Sequence, residues 1–443
     1  MMFLFLEESY DPHPKAYRLQ KMNHSSTISV YDVRCWDGGM VLKKFASYVK
    51  GSYSGLSPAV WFFSLVTLVN RAGTMVLPFL TLYINRDLGY SITFAGKCLG
   101  MYGGGAVVGS WLGGWLADRI GVMRTILISF VGTGMVFLVL EHVRTKPLLI
   151  GILFLLGVIG EAYRPAASTA IALFCKPENM ARAYALQRLA INLGMTVGPA
   201  LGGFLAERSY VWLFRVDSAT CLLASLLLVF LPLKQFFVQP PPVEKALKKA
   251  HSPLRDRGYL LFLFLAFLSA VAFFQLFSVL PLYLNDSYGI TESGFGLLIA
   301  VNCIMITFCE MTLTRFVEDM KPLRVVGVGS FCVGLGYFIL PFGHGASFAL
   351  LFIIIWTVGE MLTGPIMSTY VANRTNNHNR GAYMGLLSVA FSFGYIVGPM
   401  AGTHVYQNFG GLVLWTACFV LGIFNWAGFE LLGIRDRLAA SKV

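Results

Sequence analysis

The sequence predicts an all-α polytopic membrane protein with twelve transmembrane helices in two pseudo-symmetric halves of six. Three observations predict this class: an apolar composition, apolar runs of membrane-spanning length, and an internal duplication. Of the 443 residues, 56% are hydrophobic and only 13% are charged, whereas soluble domains carry roughly 25% charged residues. Runs of about 20 apolar residues, enough to cross a hydrocarbon core of about 30 Å, recur from Pro58 onwards. The predicted spans are 58–84, 92–117, 122–141, 147–173, 182–206, 211–233, 259–284, 292–317, 323–342, 346–372, 381–406 and 411–433.

The duplication is visible in four matched stretches that occur in the same order at offsets of 198 to 200 residues. They are LTLYIN (80–85) with LPLYLN (280–285), GEAYRPAAST (160–169) with GEMLTGPIMST (359–369), RAYALQ (182–187) with RGAYMGL (380–386), and GMTVGPALGG (194–203) with GYIVGPMAGT (394–403). Duplicated six-helix halves are typical of secondary transporters, which bind their substrate near the membrane midplane between the halves.

Polar stretches set the expected domain boundaries. These are an N-terminal extension at 1–57, a first half at 58–233, a cytoplasmic linker at 234–258, a second half at 259–434 and a cytoplasmic tail at 435–443. Residues 1–39 show no sustained periodicity. They are either a disordered tail or a stretch upstream of the true start, for which Met40 is a candidate initiator.

The basic residues are distributed unequally between the two sides of the predicted membrane. With an even number of spans both termini lie on one side, where the loops and tails hold 21 Lys and Arg, counted from residue 40 onwards, against 4 on the other side. Positive charge accumulates in cytoplasmic loops, so we predict cytoplasmic termini in a plasma or inner membrane. The net charge of +12 then reflects orientation and contact with membrane lipids, and a nucleic-acid partner is not expected.

The repeated Gly-Pro pair breaks two otherwise apolar helices at matched places. Glycine permits close approach of neighbouring backbones, and proline removes one helical hydrogen bond. We expect bends in the fifth and eleventh helices that face protein or cavity and serve the closing of each half; a packing kink without a role in motion is the alternative. The bend residues are Gly194, Gly198, Pro199, Gly202, Gly398 and Pro399.

GWLADRIGVMR (114–124), between the second and third spans, resembles motif A of the major facilitator superfamily. GMTVGPALGG resembles motif C, which is associated with the drug:proton antiporter branch of that superfamily. The resemblance covers 58–434 and implies the fold of the superfamily. In the family the motif A aspartate latches the eleventh helix, which implies that Asp118 contacts the Arg380–Tyr383 region; an ordinary charged turn is the alternative. The latch residues carried over are Gly114, Asp118, Arg119, Gly121 and Arg124.

Charged side chains inside the predicted spans are the candidate site, because a charge at membrane depth is costly and usually faces a cavity or a partner. The resemblance implies that the first, fourth, seventh and tenth helices line the central cavity. Burial disfavours the charged form of a carboxylate and a nearby arginine favours it, so Glu161 beside Arg164 is a candidate proton carrier. A fixed ion pair from Glu161 to Arg164 or Arg71 is the alternative. The candidate pathway residues are Arg71, Glu161, Arg164, Arg188, Gln275, Glu310 and Glu360.

These observations favour a secondary transporter that exports small amphipathic or drug-like compounds in exchange for protons. Symport or exchange of a polar metabolite is the first alternative, and a receptor or assembly factor on the same fold is the second. The sequence lacks the Gly-x-x-x-x-Gly-Lys loop of ATP-driven pumps and the common hydrolase motifs, so it does not predict an enzyme. The eight cysteines are scattered and form no metal-ligand motif. We expect no cofactor, no metal, a small-molecule substrate and a monomer.

Overall fold

The computed structural model describes residues 55–175, 179–230, 253–375 and 380–440. Most of the predicted extension at 1–57 and of the linker at 234–258 lies outside these residues, as does the end of the tail. Twelve helical segments confirm the predicted fold class. They are α1 Pro58–Asp87, α2 Ile92–Ile120, α3 Val122–Leu140, α4 Lys146–Phe174, α5 Met180–Arg208, α6 Val211–Phe230, α7 Arg257–Phe273 with its continuations Gln275–Ser278 and Leu280–Tyr288, α8 Glu292–Phe316, α9 Pro322–Ile339, α10 Gly345–Arg374, α11 380–409 and α12 411–440.

Gly410 separates the last two helices. Its φ of 82° lies in the left-handed region, which glycine adopts without a Cβ clash, so the chain turns there instead of continuing as one helix. Ten continuous apolar segments in the described chain are long enough to cross a membrane, and the last of them contains both α11 and α12. The glycine-rich α2, 29 residues long, completes the predicted twelve.

Helices α1–α6 form one half and α7–α12 the other. Two equivalent helix pairs join them: α2 packs on α11, and α5 packs on α8. Within the first half, α2 packs closely on α4 because Gly105, Gly109 and Gly113 lie directly against the α4 backbone, where any Cβ would meet carbonyl groups. The spacing of these glycines, four residues apart, places all three on one face of α2, and that face meets α4.

The Gly-Pro stretches lie at the two junctions between the halves. In α5, the carbonyl of Pro199 lies against Gly296 of α8; in α11, the carbonyl of Pro399 lies against Gly96 of α2. Both glycines occupy the same place in the repeat, 200 residues apart. The two proline-containing turns therefore face protein, as expected of backbone that lacks a helical hydrogen bond inside a membrane.

Further hydrogen bonds between the halves gather at one end of the bundle, where α1 and α7 end and α2 and α8 begin. Arg86 pairs with Asp286 there, again at equivalent repeat positions, and its guanidinium also donates to Asn285 Oδ1 at 3.3 Å. Glu207 and Gln407 lie at the same end and contact Ser293 and Thr93. We call this end, defined by Arg86, Glu207, Asp286 and Gln407, the sealed end.

At the opposite end of the second half, one arginine connects three segments. Arg374 donates to both carboxylate oxygens of Asp256, at 2.8 and 2.9 Å, and to Asp436 Oδ2 at 2.8 Å. Asp256 also accepts the backbone N–H of Tyr259 at 3.0 Å and so caps the start of α7. The hydrogen bonds from Arg374 hold the pKa of Asp256 below its ordinary value.

We predict that acid weakens this junction. A depressed carboxyl pKa contributes stability above the unfolded-state value, and that stability is lost as the pH falls through the folded-state value. Asp256→Asn should lower the free energy of unfolding at neutral pH by about 1 kcal/mol, since partly exposed pairs are screened by solvent, and should flatten its decline in acid. Thermal unfolding in detergent across a pH series measures this. Asp319→Asn, a surface change, is the control. If the stability of Asp256→Asn falls with pH in parallel with that of the parent protein and of the control, the prediction is wrong.

We also predict that Gly296 cannot carry a large side chain. In Gly296→Leu the added atoms meet the carbonyl of Pro199, and overpacking of this kind costs roughly 1–3 kcal/mol. The matched control is Gly151→Leu, because Gly151 has no atom within 4 Å of a built Cβ. Purified Gly296→Leu should unfold at a clearly lower temperature than Gly151→Leu. Equal thermal stability would show that the packing of α5 on α8 at Gly296 adds nothing to the stability of the protein.

Candidate functional site

The first predicted carboxylate, Glu161, is buried in the middle of the first half. Arg164, three residues later on α4, pairs with its Oε2 at 2.5 Å, and the hydroxyl of Tyr102 on α2 donates to its Oε1 at 3.0 Å. Arg164 is half exposed while Glu161 is nearly enclosed. The structure thus joins Glu161 to Arg164, as one interpretation of the sequence expected, and adds a partner on α2.

Arg71 lies beside this cluster on α1. Its guanidinium carbon is 5.4 Å from the ring centroid of Tyr163 on α4, a cation–π contact. Its Nε is buried and has no hydrogen-bond partner among the described residues. Gly194 of α5 packs against the Cβ and backbone of Arg71. Arg71 is therefore held by packing and by an aromatic face. The ion-pair partner of Glu161 is Arg164 and not Arg71.

The second half repeats the arrangement with different chemistry. Glu360 on α10 is buried and accepts a hydrogen bond of 2.8 Å from Asn302 Nδ2 on α8. Asn302 occupies the place of Tyr102 in the repeat, exactly 200 positions later, and Glu360 the place of Glu161. The duplication therefore places a carboxylate in each half with a neutral donor on the equivalent helix, and of these two carboxylates Glu161 is the one that forms an ion pair within the described residues.

The remaining predicted pair crosses between the halves. Arg188 on α5 forms an ion pair with Glu310 on α8, with both side chains largely shielded from solvent. The sequence predicted both residues as pathway candidates but not that they meet. Because these helices belong to different halves, this pair must break whenever α5 and α8 separate at this depth.

Gln275, another predicted pathway residue, lies where α7 packs on α11. It is almost fully buried and donates through Nε2 to the carbonyls of Val271 and Gly398, at 3.0 and 2.8 Å. Its Oε1 accepts from Ser278 at 3.1 Å. These bonds engage the carboxamide at the break of α7 and connect it to the α11 backbone beside Pro399. The structure thus places Gln275 in the packing of α7 on α11.

The motif A segment lies at the end opposite the sealed end. Gly121 has a φ of 95°, which explains why glycine stands between α2 and α3. Asp118 is exposed, and Arg119 lies 4.4 Å over the ring of Trp115. The latch stays a prediction: the Tyr383 hydroxyl contacts Asp256 in its own half at 3.5 Å, and the side chain of Arg380 lies outside the described residues.

Asp217 on α6 is a buried carboxylate that the sequence analysis did not single out. Its oxygens accept the backbone N–H groups of Met75 and Val76 at 3.0 to 3.2 Å, where α1 is interrupted after Gly73. It thereby satisfies the start of the second α1 segment. The VDSATC sequence contains an acidic residue within an apolar span, a signal that would have identified it.

An aromatic group extends from the Glu161 cluster into the second half. Tyr102 contacts the edge of Tyr395 on α11, with ring centroids 5.7 Å apart, and Tyr395 stacks on Phe274 of α7 at 4.2 Å. Phe273 continues the group towards Trp356. The arrangement offers flat apolar faces next to the charged cluster, at the junction where the two halves meet.

Comparison with known proteins gives a consistent picture. The family model of the Major Facilitator Superfamily matches residues 62–399. Among solved structures, that of a POT family transporter in complex with 5-aminolevulinic acid has a TM-score of 0.74 at 13% identity, over 85% of this chain and 96% of that one, which shows a shared fold.

Curated relatives are similar along most of their length. An uncharacterized MFS-type transporter of Bacillus subtilis (strain 168), YttB, is 26% identical over 81% of this chain and 91% of its own. A Na(+), Li(+), K(+)/H(+) antiporter of Planococcus maritimus is 23% identical, over 75% and 86%. The multidrug resistance protein MdtH of Aeromonas hydrophila is 22% identical, over 82% and 91%. Since the family model covers most of the chain, the protein belongs to the Major Facilitator Superfamily and is a membrane transporter, not an enzyme.

Proposed function

We propose that the protein is a secondary active transporter of the cell membrane that exports small amphipathic compounds in exchange for protons. The observation that carries the proposal is Glu161, a buried carboxylate held by one arginine and by a tyrosine, Tyr102, that also touches the other half. Relatives named as a multidrug resistance protein and as a cation/proton antiporter support the same class of activity.

The proposed mechanism links the charge of Glu161 to the contact between α2 and α11. Tyr102 donates to Glu161 and also touches Tyr395 across the junction. When a proton binds Glu161, Arg164 loses its carboxylate partner and the hydrogen bond from Tyr102 loses its charge assistance. Both changes favour rearrangement of α2 against α11. Release of the proton on the other side of the membrane restores the original contacts.

The aromatic group supplies the proposed contact surface for an amphipathic substrate. Tyr395 and Phe274 present apolar faces, and Arg164, half exposed, presents a positive charge close by. An amphipathic substrate with a positive group binds these faces best while Glu161 is deprotonated, because the carboxylate then offsets the charge of Arg164. Proton and substrate thus compete for one charged cluster, which gives exchange of substrate for proton.

A second candidate is proton symport or exchange of a polar metabolite. One observation favours it: the buried Nε of Arg71 has no hydrogen-bond partner among the described residues. An arginine that lacks a carboxylate partner suits a substrate with a carboxylate or phosphate group. The direction of flux distinguishes the candidates. An inward proton gradient drives export of substrate by exchange, and it drives accumulation of substrate inside by symport.

We predict that Glu161→Gln removes proton coupling while the protein still folds, because glutamine keeps an acceptor for Tyr102 but cannot bind a proton. Flux of a lipophilic dye in proteoliposomes should no longer respond to a pH gradient. The control is Glu430→Gln, which removes a carboxylate from the surface pair with Arg324. A well-folded Glu161→Gln protein with normal dependence on the pH gradient would rule out Glu161 as the coupling group.

We further predict the orientation from the distribution of basic residues. The linker 234–258 and the C-terminal tail should be cytoplasmic, and the sealed end should be external. An introduced cysteine at 240–250 should react with an impermeant thiol reagent only after the cells are opened. Labelling of that cysteine in intact cells would reverse the proposed orientation.

A further inference from the structure

Two matching hydrogen-bonded contacts close the sealed end. On one side, Gln407 Oε1 of α11 accepts both the backbone N–H and the hydroxyl of Thr93, each at 2.7 Å. On the other, Glu207 Oε1 of α5 accepts the backbone N–H and the hydroxyl of Ser293, at 3.2 and 2.5 Å. The positions correspond: Thr93 and Ser293 are 200 residues apart, as are Glu207 and Gln407.

The two contacts share a geometry and differ in charge. Each acceptor lies at the first turn of a helix, α2 or α8, where backbone N–H groups lack helical partners. Gln407 shows that a neutral side-chain oxygen is sufficient to form the contact. Glu207 forms it with a carboxylate, which gives shorter and roughly twice as strong hydrogen bonds and interacts favourably with the positive end of the helix dipole.

Among the described residues, the donors to the Glu207 carboxylate are neutral, the backbone N–H and the hydroxyl of Ser293. On α8, Glu292 accepts the hydroxyl of Tyr210 at 2.7 Å. At the end of α1, Arg86 is paired with Asp286 of α7, and Asp87 with Arg144. Arg208 follows on α5 itself. Glu207 is exposed, so protons reach it directly from the aqueous phase.

We propose that Glu207 is a proton-binding site that controls the sealed end. Protonation removes the charge assistance from the contact between α5 and α8 and leaves the contact between α2 and α11 unchanged. When the end opens, the carboxylate loses the two donors of Ser293, so the open state binds the proton better than the closed state. By linkage, acid then favours opening. The response lies at acidic pH, towards the ordinary glutamate value of about 4.3.

The proposal rests on the proposed proton coupling for its role in the cell, but its test needs neither a gradient nor a substrate. Spin labels at Leu148→Cys on α4 and Ser347→Cys on α10, both exposed at the sealed end, report the separation of the halves. The labels are placed in a variant without native cysteines. Pulsed electron spin resonance in detergent then measures the distance distribution from neutral to acidic pH.

Each of the two contacts provides the matched variant for the other. Otherwise wild-type protein should gain a longer-distance population as the pH falls. Glu207→Gln, which copies the Gln407 contact, should show more of that population at neutral pH and little further change in acid. Gln407→Glu should show less of it at neutral pH and a steeper response to acid. Glu430→Gln should behave like the wild type.

An unchanged acid response in Glu207→Gln, or a Gln407→Glu protein with the wild-type profile, would overturn the proposal. The result is separable from the coupling role of Glu161. If Glu161→Gln abolishes pH-driven flux and still opens in acid, Glu207 acts as proposed. If Glu161→Gln also abolishes acid opening while Glu207→Gln retains it, the opening follows Glu161 and the proposal fails.

Discussion

The close approach of backbones at glycine is the constraint on which the structure depends. Lipid tails are as apolar as leucine, so membrane helices associate through close packing and polar contacts rather than through a hydrophobic force. Gly296 against Pro199 and Gly96 against Pro399 provide that packing at both junctions between the halves. Tyr102 follows Gly96 on α2, and Asn302 follows Gly296 on α8. The donors to Glu161 and Glu360 therefore lie on the two helices that pack against the opposite half.

The fold was predictable because its signals are strong and additive. Apolar runs gave the spans to within a few residues, and the matched stretches gave the symmetry. The charged residues of the candidate site could be picked out from the sequence, since membrane depth makes any charge exceptional. Their partners were not. Tyr102 and Asn302 are neutral, stand in helices of mixed small and apolar residues, and carry no periodic signal. The ion pair of Arg188 with Glu310 depends on how α5 meets α8, which no local pattern encodes.

Divergence between the repeats changes charge while it keeps geometry. Ser57 donates to the carbonyl of Phe174 at 2.6 Å in the first half, and at the equivalent place Asp256 binds the guanidinium of Arg374. Arg86 and Asp286 occupy equivalent positions of the two repeats and meet each other. Identical repeats would place two equal charges there, whereas the divergent repeats form an ion pair. Duplication thus fixes which positions are in contact, and the substitutions in each repeat determine whether the contact is a neutral hydrogen bond or an ion pair.

The same logic explains how the proposed proton binding is linked to motion in this scaffold. A buried carboxylate needs donors, an ion partner or a proton. Glu161 receives one donor from α2, a helix that packs on the other half, and Arg188 binds Glu310 directly across the junction. In the proposed mechanism, relative motion of the halves separates Arg188 from Glu310 and Tyr102 from Tyr395, and protonation of the carboxylate compensates for the weakened contacts. Conformational change and proton binding are then thermodynamically linked: a change in one shifts the equilibrium of the other by the same coupling free energy.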